Sequence, residues 1–495
     1  IFLLIYLILE YVVCYYGTWA TYRSGLGKFD VAHIDPDLCT HAVYTFAGLD
    51  DHGIVISLDP WLDLPDNWGR NNFGAFNALK QKNTQLKTLL AVGGWNFGSA
   101  RFSVMAASDT LRRNFITSAI KMIQDHGFDG LDVDWEYPNR RDTVNGQADI
   151  DNYTQLLKEL REEFDKSGLF LSAAVSSVRD MASLSYDIPA ISRYLDLINL
   201  MTYDMYGAWD TVTGHNAPLH RGEGDENGNK DDLYTVDVAL QYWLDQGAPP
   251  EKLTIGVPFY GRTFTLNDAN SNFVRAPSSG AGIAGPYTAT NGVIGYNEFC
   301  TKLQTEPWTQ KYDSLAKVPY AHSGQNWVSY DDSDSITEKV QYAMNQGIAG
   351  IMIWSIETDD FHGLCGGEEF PLLKAVNRAV ESFDDSTDTP PSVNTDDIET
   401  DPTLPDPTII PTTEGADDNN YIFPVTPENP PLPPSADVCI EDGFAADPQD
   451  CSSYYMCVGD RDGSMRSWKF NCPSDLHWDQ AGTICNYPEL VPCKI

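Results

Sequence analysis

Phe128-Asp129-Gly130-Leu131-Asp132-Val133-Asp134-Trp135-Glu136-Tyr137-Pro138 alternates acids with large apolar residues. Such alternation reads as a short strand, in which side chains at i, i+2 and i+4 share a face. Asp132, Asp134 and Glu136 then form one row, with neighbouring carboxylates roughly 6–7 Å apart. Leu131, Val133 and Trp135 mark the opposite face as buried too, as in a strand covered on both sides by a parallel sheet's helices. Confined like charges resist joint ionisation, so at least one of the three holds its proton near neutral pH. A protonated acid beside an ionised carboxylate is what cleavage of a glycosidic bond requires. The plainer alternative is a solvated acidic strand end, but strands buried on both faces seldom carry three unpaired acids.

Short apolar runs recur on either side, at Val12–Gly17, His41–Leu49, Thr88–Gly94, Gly130–Glu136, Phe170–Ser176, Leu197–Asp204, Leu253–Gly261 and Gly350–Glu357. Amphipathic stretches at Asn114–His126, Asn152–Lys166, Leu233–Gln246 and Thr337–Gln346 separate several of them. Eight buried strands alternating with helices predict an α/β fold, a (β/α)8 TIM barrel whose active site gathers at the C-terminal strand ends. The acidic row closes the fourth strand, where chemistry is expected. The long gap before the eighth run predicts an inserted α+β subdomain, about 265–335. Within it Gly280-Ala281-Gly282-Ile283-Ala284-Gly285 matches G-x-G-x-x-G but is read as a decoy, with no strand before it and no helix after. Asp225, Asn227, Asn229 and Asp231 alternate like the start of a calcium loop, yet the turn glycine and the twelfth-position Glu are missing.

The 495 residues have room for one large domain plus extras, and a hydrophobic fraction of 42% is that of a globular chain. A formal charge of -39 argues against nucleic acid or an anionic membrane as partner. The chain opens Ile1-Phe2-Leu3-Leu4-Ile5-Tyr6-Leu7-Ile8-Leu9, read as a signal-peptide remnant (1–9) too short to span a bilayer, with an extended first strand as the alternative. A soluble, secreted, extracellular product is expected. Ten cysteines, six of them crowded between Cys439 and Cys493, indicate disulfides and an oxidising compartment. Isolated C-x-x-C pairs are absent, so no structural metal is expected. The barrel region is placed at 10–382. From 383 to 436 Pro, Thr, Asp and Glu dominate without any Lys or Arg, the composition of a disordered linker. Residues 437–495 form a small disulfide-rich β module. Its Tyr454, Tyr455, Trp468 and Trp478 belong to a set of aromatics too large for so small an interior, which favours a ligand-binding face.

Asp129-Gly130-Leu131-Asp132-Val133-Asp134-Trp135-Glu136 resembles the D-G-x-D-x-D-W-E signature of family 18 glycoside hydrolases, specifically animal chitinases. The likeness runs from about Val12 to Phe383 and takes in Cys14-Tyr15-Tyr16-Gly17-Thr18-Trp19, Ala91-Val92-Gly93-Gly94-Trp95, Met201-Thr202-Tyr203-Asp204, Tyr260-Gly261-Arg262 and Ile353-Trp354. Ala91 stands where many bacterial members have Ser. The six C-terminal cysteines resemble a peritrophin-A type chitin-binding domain, although Asp475 replaces a frequent Gly.

The resemblance implies a retaining mechanism in which the substrate's own 2-acetamido oxygen attacks the anomeric carbon, one of the exceptions to the two-carboxylate scheme. Glu136 is implied as general acid and then base. Asp134 orients the acetamido group, Asp132 shares a proton with it, Tyr203 binds the acetamido oxygen and Asp204 supports the site. Trp354 is implied as the floor of the cleavage subsite, with Tyr15, Trp19, Trp95, Met201, Trp209, Tyr260 and Arg262 lining the groove. It also implies disulfides Cys14–Cys39, Cys300–Cys365, Cys439–Cys457, Cys451–Cys493 and Cys472–Cys485; the last three are one of fifteen connectivities the sequence leaves open. No cofactor is expected, the implied partners are chitin and chito-oligosaccharides, and the chain is expected to act as a monomeric endochitinase. The alternatives are a chitinase-like lectin on the same barrel, a class that usually lacks the acid corresponding to Glu136, or a chitin-matrix binding protein.

Overall fold

Valine, isoleucine and leucine dominate the short runs between helices, and residues of this kind form strands buried on both faces of a parallel sheet. In a computed structural model, which describes residues 11–225, 234–387, 443–447, 450–459, 465–471, 477–479 and 484–486, eight such strands pair in parallel. They are β1 (Tyr11–Gly17), β2 (His41–Leu49), β3 (Lys87–Gly93), β4 (Gly130–Asp134), β5 (Phe170–Ser176), β6 (Leu197–Met201), β7 (Leu253–Pro258) and β8 (Gly350–Trp354). Each pairs with the next, and β1 pairs with both β2 and β8, so the eight strands close into a (β/α)8 barrel, with the short strand Val55–Ser57 added antiparallel to the end of β2.

Two cores follow from the strand alternation. Outward residues such as Tyr16, Leu90, Val92, Leu131, Val133 and Ile353 pack beneath the helices, among them Asp109–His126, Ala148–Phe164 and Ser333–Gln346. Inward residues Val13, Tyr15, Val43, Leu89, Ala91, Ala174, Leu197 and Met352 fill the barrel. Asp132 points inward, in register with Ala91 of β3 and Ser172 of β5. Disulfide Cys14–Cys39 ties β1 to the segment that leads into β2. Disulfide Cys300–Cys365 ties the helix Tyr296–Thr305 to the chain beyond β8.

Several expected bounds move. The fourth strand ends at Asp134, so Glu136 lies two residues beyond it rather than in its ladder. Leu253–Gly261 is two strands: β7 stops at Pro258, and Tyr260–Leu266 starts the inserted sheet. That sheet has six strands, the last in sequence being Asn326–Ser329, so the insertion begins near Tyr260 and not Thr265. The Gly280 motif begins inside a strand, the antiparallel Ser278–Ala281, rather than after one; Gly282 donates its N–H to the Thr263 carbonyl and no helix comes directly next. Asp225 pairs with Arg275 at 2.8 Å; Asn227, Asn229 and Asp231 lie outside the described residues. The helix Pro371–Thr387 runs past Phe383, where the linker was expected to start. Residues 1–9 and 388–436 lie outside the described residues.

The chain divides into two units, 1–394 and 395–495. In the second, Gly443–Ala446, Ser453–Gly459 and Met465–Asn471 form an antiparallel sheet, and His477–Asp479 pairs with Ile484–Asn486. Tyr454 and Tyr455 are on its middle strand, Trp468 on a neighbour and Trp478 in the hairpin. Their side chains, and the cysteine pairing of this unit, lie outside the described residues. Among the described residues no helix is long and apolar enough to cross a membrane.

Candidate active site

Asp132 is fully buried and accepts three hydrogen bonds. Tyr15 Oη in β1 donates at 2.9 Å, Ser172 Oγ in β5 at 2.5 Å and Asn199 Nδ2 in β6 at 3.4 Å. Asn199 also donates to Tyr15 Oη at 3.0 Å and accepts from Thr254 Oγ1 in β7 at 2.9 Å. Burial lifts the Asp132 pKa to about 6, against the pull of these donors. Asp134 is buried as well, and its Oδ1 has no hydrogen-bond partner. Burial first, then the charges of Glu136 and Asp132, push its carboxyl well above the usual range.

Glu136 sits at the rim, 8% exposed. Trp135 sets its approach, being buried with Nε1–H donating to Ser99 Oγ and its ring stacked on Phe102 at 5.4 Å. Burial holds Glu136 at a pKa of about 7, with Arg141 pulling down and Asp204 pushing up. A carboxyl half-protonated near neutrality, two residues from a second raised carboxyl, can give a proton to a leaving group and later take one from water.

The chain after β6 carries the next group. Tyr203 Oη lies 3.7 Å from Met352 Sδ. Asp204 adopts a φ of 59° and accepts from Tyr260 Oη at 2.5 Å and Arg262 Nε at 2.8 Å. Burial and the Asp204 charge raise the Tyr260 hydroxyl. The Arg262 guanidinium lies 4.9 Å from the Trp209 ring centre and 5.6 Å from that of Tyr260. Asn216, fully buried, accepts from the Asp204 N–H at 3.0 Å and donates to the Tyr260 carbonyl at 3.0 Å, which joins the two segments.

Aromatic rings cluster at the C-terminal end of β8. Trp354, at the end of β8, meets Tyr15 edge-on at 5.7 Å, stacks with Phe46 at 5.9 Å and lies 6.1 Å from Trp19. Trp19, Trp95 and Trp209 are exposed, and Met201 is half-buried on the inward face. Arg141 covers the Trp95 ring at 3.8 Å and donates to its carbonyl at 2.6 Å. All thirteen barrel residues proposed from sequence are therefore placed at or near the C-terminal strand ends or the barrel interior below them.

Sequence reasoning missed Phe46, Ser172, Asn199, Thr254, Arg141 and Asn216. Ser172, Asn199 and Thr254 had a usable signal, since each is a polar residue at an inward position of an otherwise apolar strand. Arg141 had none. Among the described residues the cluster Cys300, Asp360 and Cys365 could suit a metal by spacing, but its two sulfurs form a disulfide.

A model of glycosyl hydrolases family 18 matches residues 11–359, and one of the chitin binding Peritrophin-A domain matches residues 439–493. The chain is 42% identical over 398 residues to Probable chitinase 2 of Drosophila melanogaster, which spans 74% of this chain and 80% of that protein. The structure resembles the Group IV chitinase of Ostrinia furnacalis, at 58% identity and a TM-score of 0.74, covering 75% of this chain and 100% of that one. It also resembles human YKL-39, a pseudo-chitinase with retained chitooligosaccharide binding properties, at 39% identity and a TM-score of 0.69, covering 75% and 100%.

Proposed function

Because this chain belongs to glycosyl hydrolases family 18, we propose that it hydrolyses β-1,4 bonds between N-acetylglucosamine units of chitin, as a secreted endochitinase. The observation that carries this reading is the buried row Asp132, Asp134 and Glu136, whose last member is poised near pH 7 at a mouth ringed by tryptophans. Glu136 protonates the bridging oxygen as the glycosidic bond breaks. The acetamido oxygen of the same sugar closes on the anomeric carbon, and Asp134 accepts the acetamido N–H and offsets the positive charge on the resulting ring. Tyr203 donates to the acetamido oxygen. Glu136, now a carboxylate, takes a proton from water, whose oxygen bonds to the anomeric carbon on the face that the leaving group left as the bond to the acetamido oxygen breaks, which returns the retained anomer.

Trp354 is the floor on which the reacting sugar stacks, with Trp19, Trp95 and Trp209 as platforms along the groove. The Asp204–Tyr260–Arg262 cluster supports the site, and the Asp204 charge helps to hold the proton on Glu136. The barrel and the insertion together are the catalytic domain, residues 10–382. The C-terminal unit, 437–495, binds solid chitin.

A second reading, binding without cleavage, is represented by YKL-39. Retention of Glu136 with both aspartates favours hydrolysis. The test is a time course on chitin hexamer, following chain lengths and anomer. Wild type should release shorter β-anomeric products, and Glu136→Gln should lower the rate by roughly 10³-fold or more while still binding chitin. A wild-type protein that binds the hexamer and never shortens it would leave only the lectin reading.

A further inference from the structure

Glu357 is a buried carboxyl that the hydrolytic scheme leaves without a task. It stands in the single turn Ile356–Thr358 that follows β8, and it is 1% exposed. Burial raises its pKa, while Arg23, Ser355 and the Gly17 N–H pull it down. A carboxyl taken out of water is costly unless its oxygens find donors, and here both do. Oε2 accepts the Gly17 N–H at 3.0 Å and Oε1 accepts the Ser355 hydroxyl at 2.7 Å. The Arg23 guanidinium lies 3.8 Å from Oε1.

These bonds join two strand ends that the barrel leaves apart. β1 pairs with β8 from Tyr11–Gly350 to Cys14–Ile353 and no further. Beyond that point the Glu357 carboxyl takes an N–H at the end of β1 and the hydroxyl of the residue after Trp354. Gly17 leads directly into Thr18–Tyr22, the turn that carries Trp19. A Cβ on Gly17 would lie 2.3 Å from Glu357 Oε1 and 2.7 Å from Trp19 Cζ2, so its backbone is enclosed between carboxyl and indole. On the other flank Thr18 Oγ1 donates to the Thr45 carbonyl at 2.7 Å. The Glu357 carbonyl accepts from Arg23 and from Asn297, each at 3.4 Å, and Asn297 belongs to the helix Tyr296–Thr305 of the insertion. Trp19 and Trp354, with ring centres 6.1 Å apart at 45°, thus hang from the two arms of one clamp. The strands are already paired below it, so closure of the barrel does not need this carboxyl.

We propose that Glu357 is a positioning residue: by bridging the Gly17 N–H to Ser355 it fixes the gap and tilt between Trp19 and Trp354, and with them the register in which a chitin chain crosses the cleavage point. The proposal rests on the chitin-hydrolysing reading above and adds to it a group that touches no sugar.

The test is hydrolysis of chitin hexamer by the full chain well below its melting temperature, reading kcat, KM and the ratio of dimer plus tetramer to trimer. Glu357→Leu fills a similar volume and leaves both donors without a partner. It should lower kcat about tenfold or more, change KM by less than about threefold and alter the product ratio. Glu357→Gln keeps both bonds, its carbonyl accepting from Gly17 and its amide donating to Ser355 Oγ, and should stay within about threefold of wild type with the ratio unchanged. A Leu variant that melts lower yet keeps the wild-type kcat and ratio would overturn the proposal, as would a Gln variant as impaired as Leu. If Glu357→Leu does not fold, Ser355→Ala, which removes one of the two bonds, should shift the ratio, and an unchanged ratio would overturn the proposal. If wild type leaves the hexamer whole, the hydrolytic reading fails and circular dichroism reads the clamp instead. The exciton band of the Trp19–Trp354 pair, identified by its loss in Trp19→Phe, should persist in Glu357→Gln and vanish in Glu357→Leu; its persistence in Glu357→Leu would overturn the clamp.

Discussion

Three donors converge on Asp132, whereas Oδ1 of its neighbour Asp134 has no partner. Asp132 is thereby the better-satisfied carboxylate of the two, while burial and the charges of Glu136 and Asp132 favour the protonated form of Asp134. If Glu136 is the proposed general acid, its proton is lost as pH rises through about 7, so kcat/KM should fall on the alkaline side. On the acid side the limit is protonation of the aspartate pair. Tyr15→Phe removes one donor to Asp132, so its pKa should climb further above about 6 and the acid limb should move to higher pH; a pH–rate series on a soluble oligomer reads this directly. The same burial makes Asp134 a weak point in the fold. Its folded pKa lies above the unfolded value, so its favourable contribution is complete below the unfolded pKa and is lost as pH rises through the folded one. Asp134→Asn should therefore abolish turnover and raise the melting temperature at pH 7 by on the order of a few °C, a gain that shrinks near pH 4 in calorimetry.

At the scale of elements, the buried pair Lys339–Asp331 joins the helix Ser333–Gln346 to the end of the insertion. Lys339→Met should cost about 3–5 kcal/mol in denaturant titrations, because it strands a buried carboxylate. Changing both partners to apolar residues should cost far less. Strands were well legible: His41–Leu49 and Phe170–Ser176 stand as read, since apolar composition and flanking polar residues agree. The break at Phe259 was not legible, because Leu253–Gly261 is apolar throughout and only pairing partners distinguish barrel from insertion. The acids were visible as a row, and Ser172, Asn199 and Thr254 as polar exceptions in apolar strands, but their partnership was not. Ser172, Asn199 and Thr254 meet Asp132 or each other only after the barrel closes, across separations of 40 to 67 residues.

For the whole molecule, the match of residues 439–493 to a chitin-binding family gives the second unit a task separable from the barrel's. Deleting 437–495 should leave the rate on short soluble oligomers intact and reduce the rate on powdered chitin roughly tenfold or more, since an anchored enzyme works at high effective substrate concentration. Equal losses on both substrates would show that the module supports the barrel instead. The polar crossing from Tyr15 in β1 through Asn199 in β6 to Thr254 in β7 spans the ring of strands that shapes the fold. Proton affinity at the cutting edge is thereby tied to how tightly that ring is drawn. Gentle warming that slackens the staves, well short of melting, should first detune the acidity at which the enzyme works best and only afterwards cost it its shape.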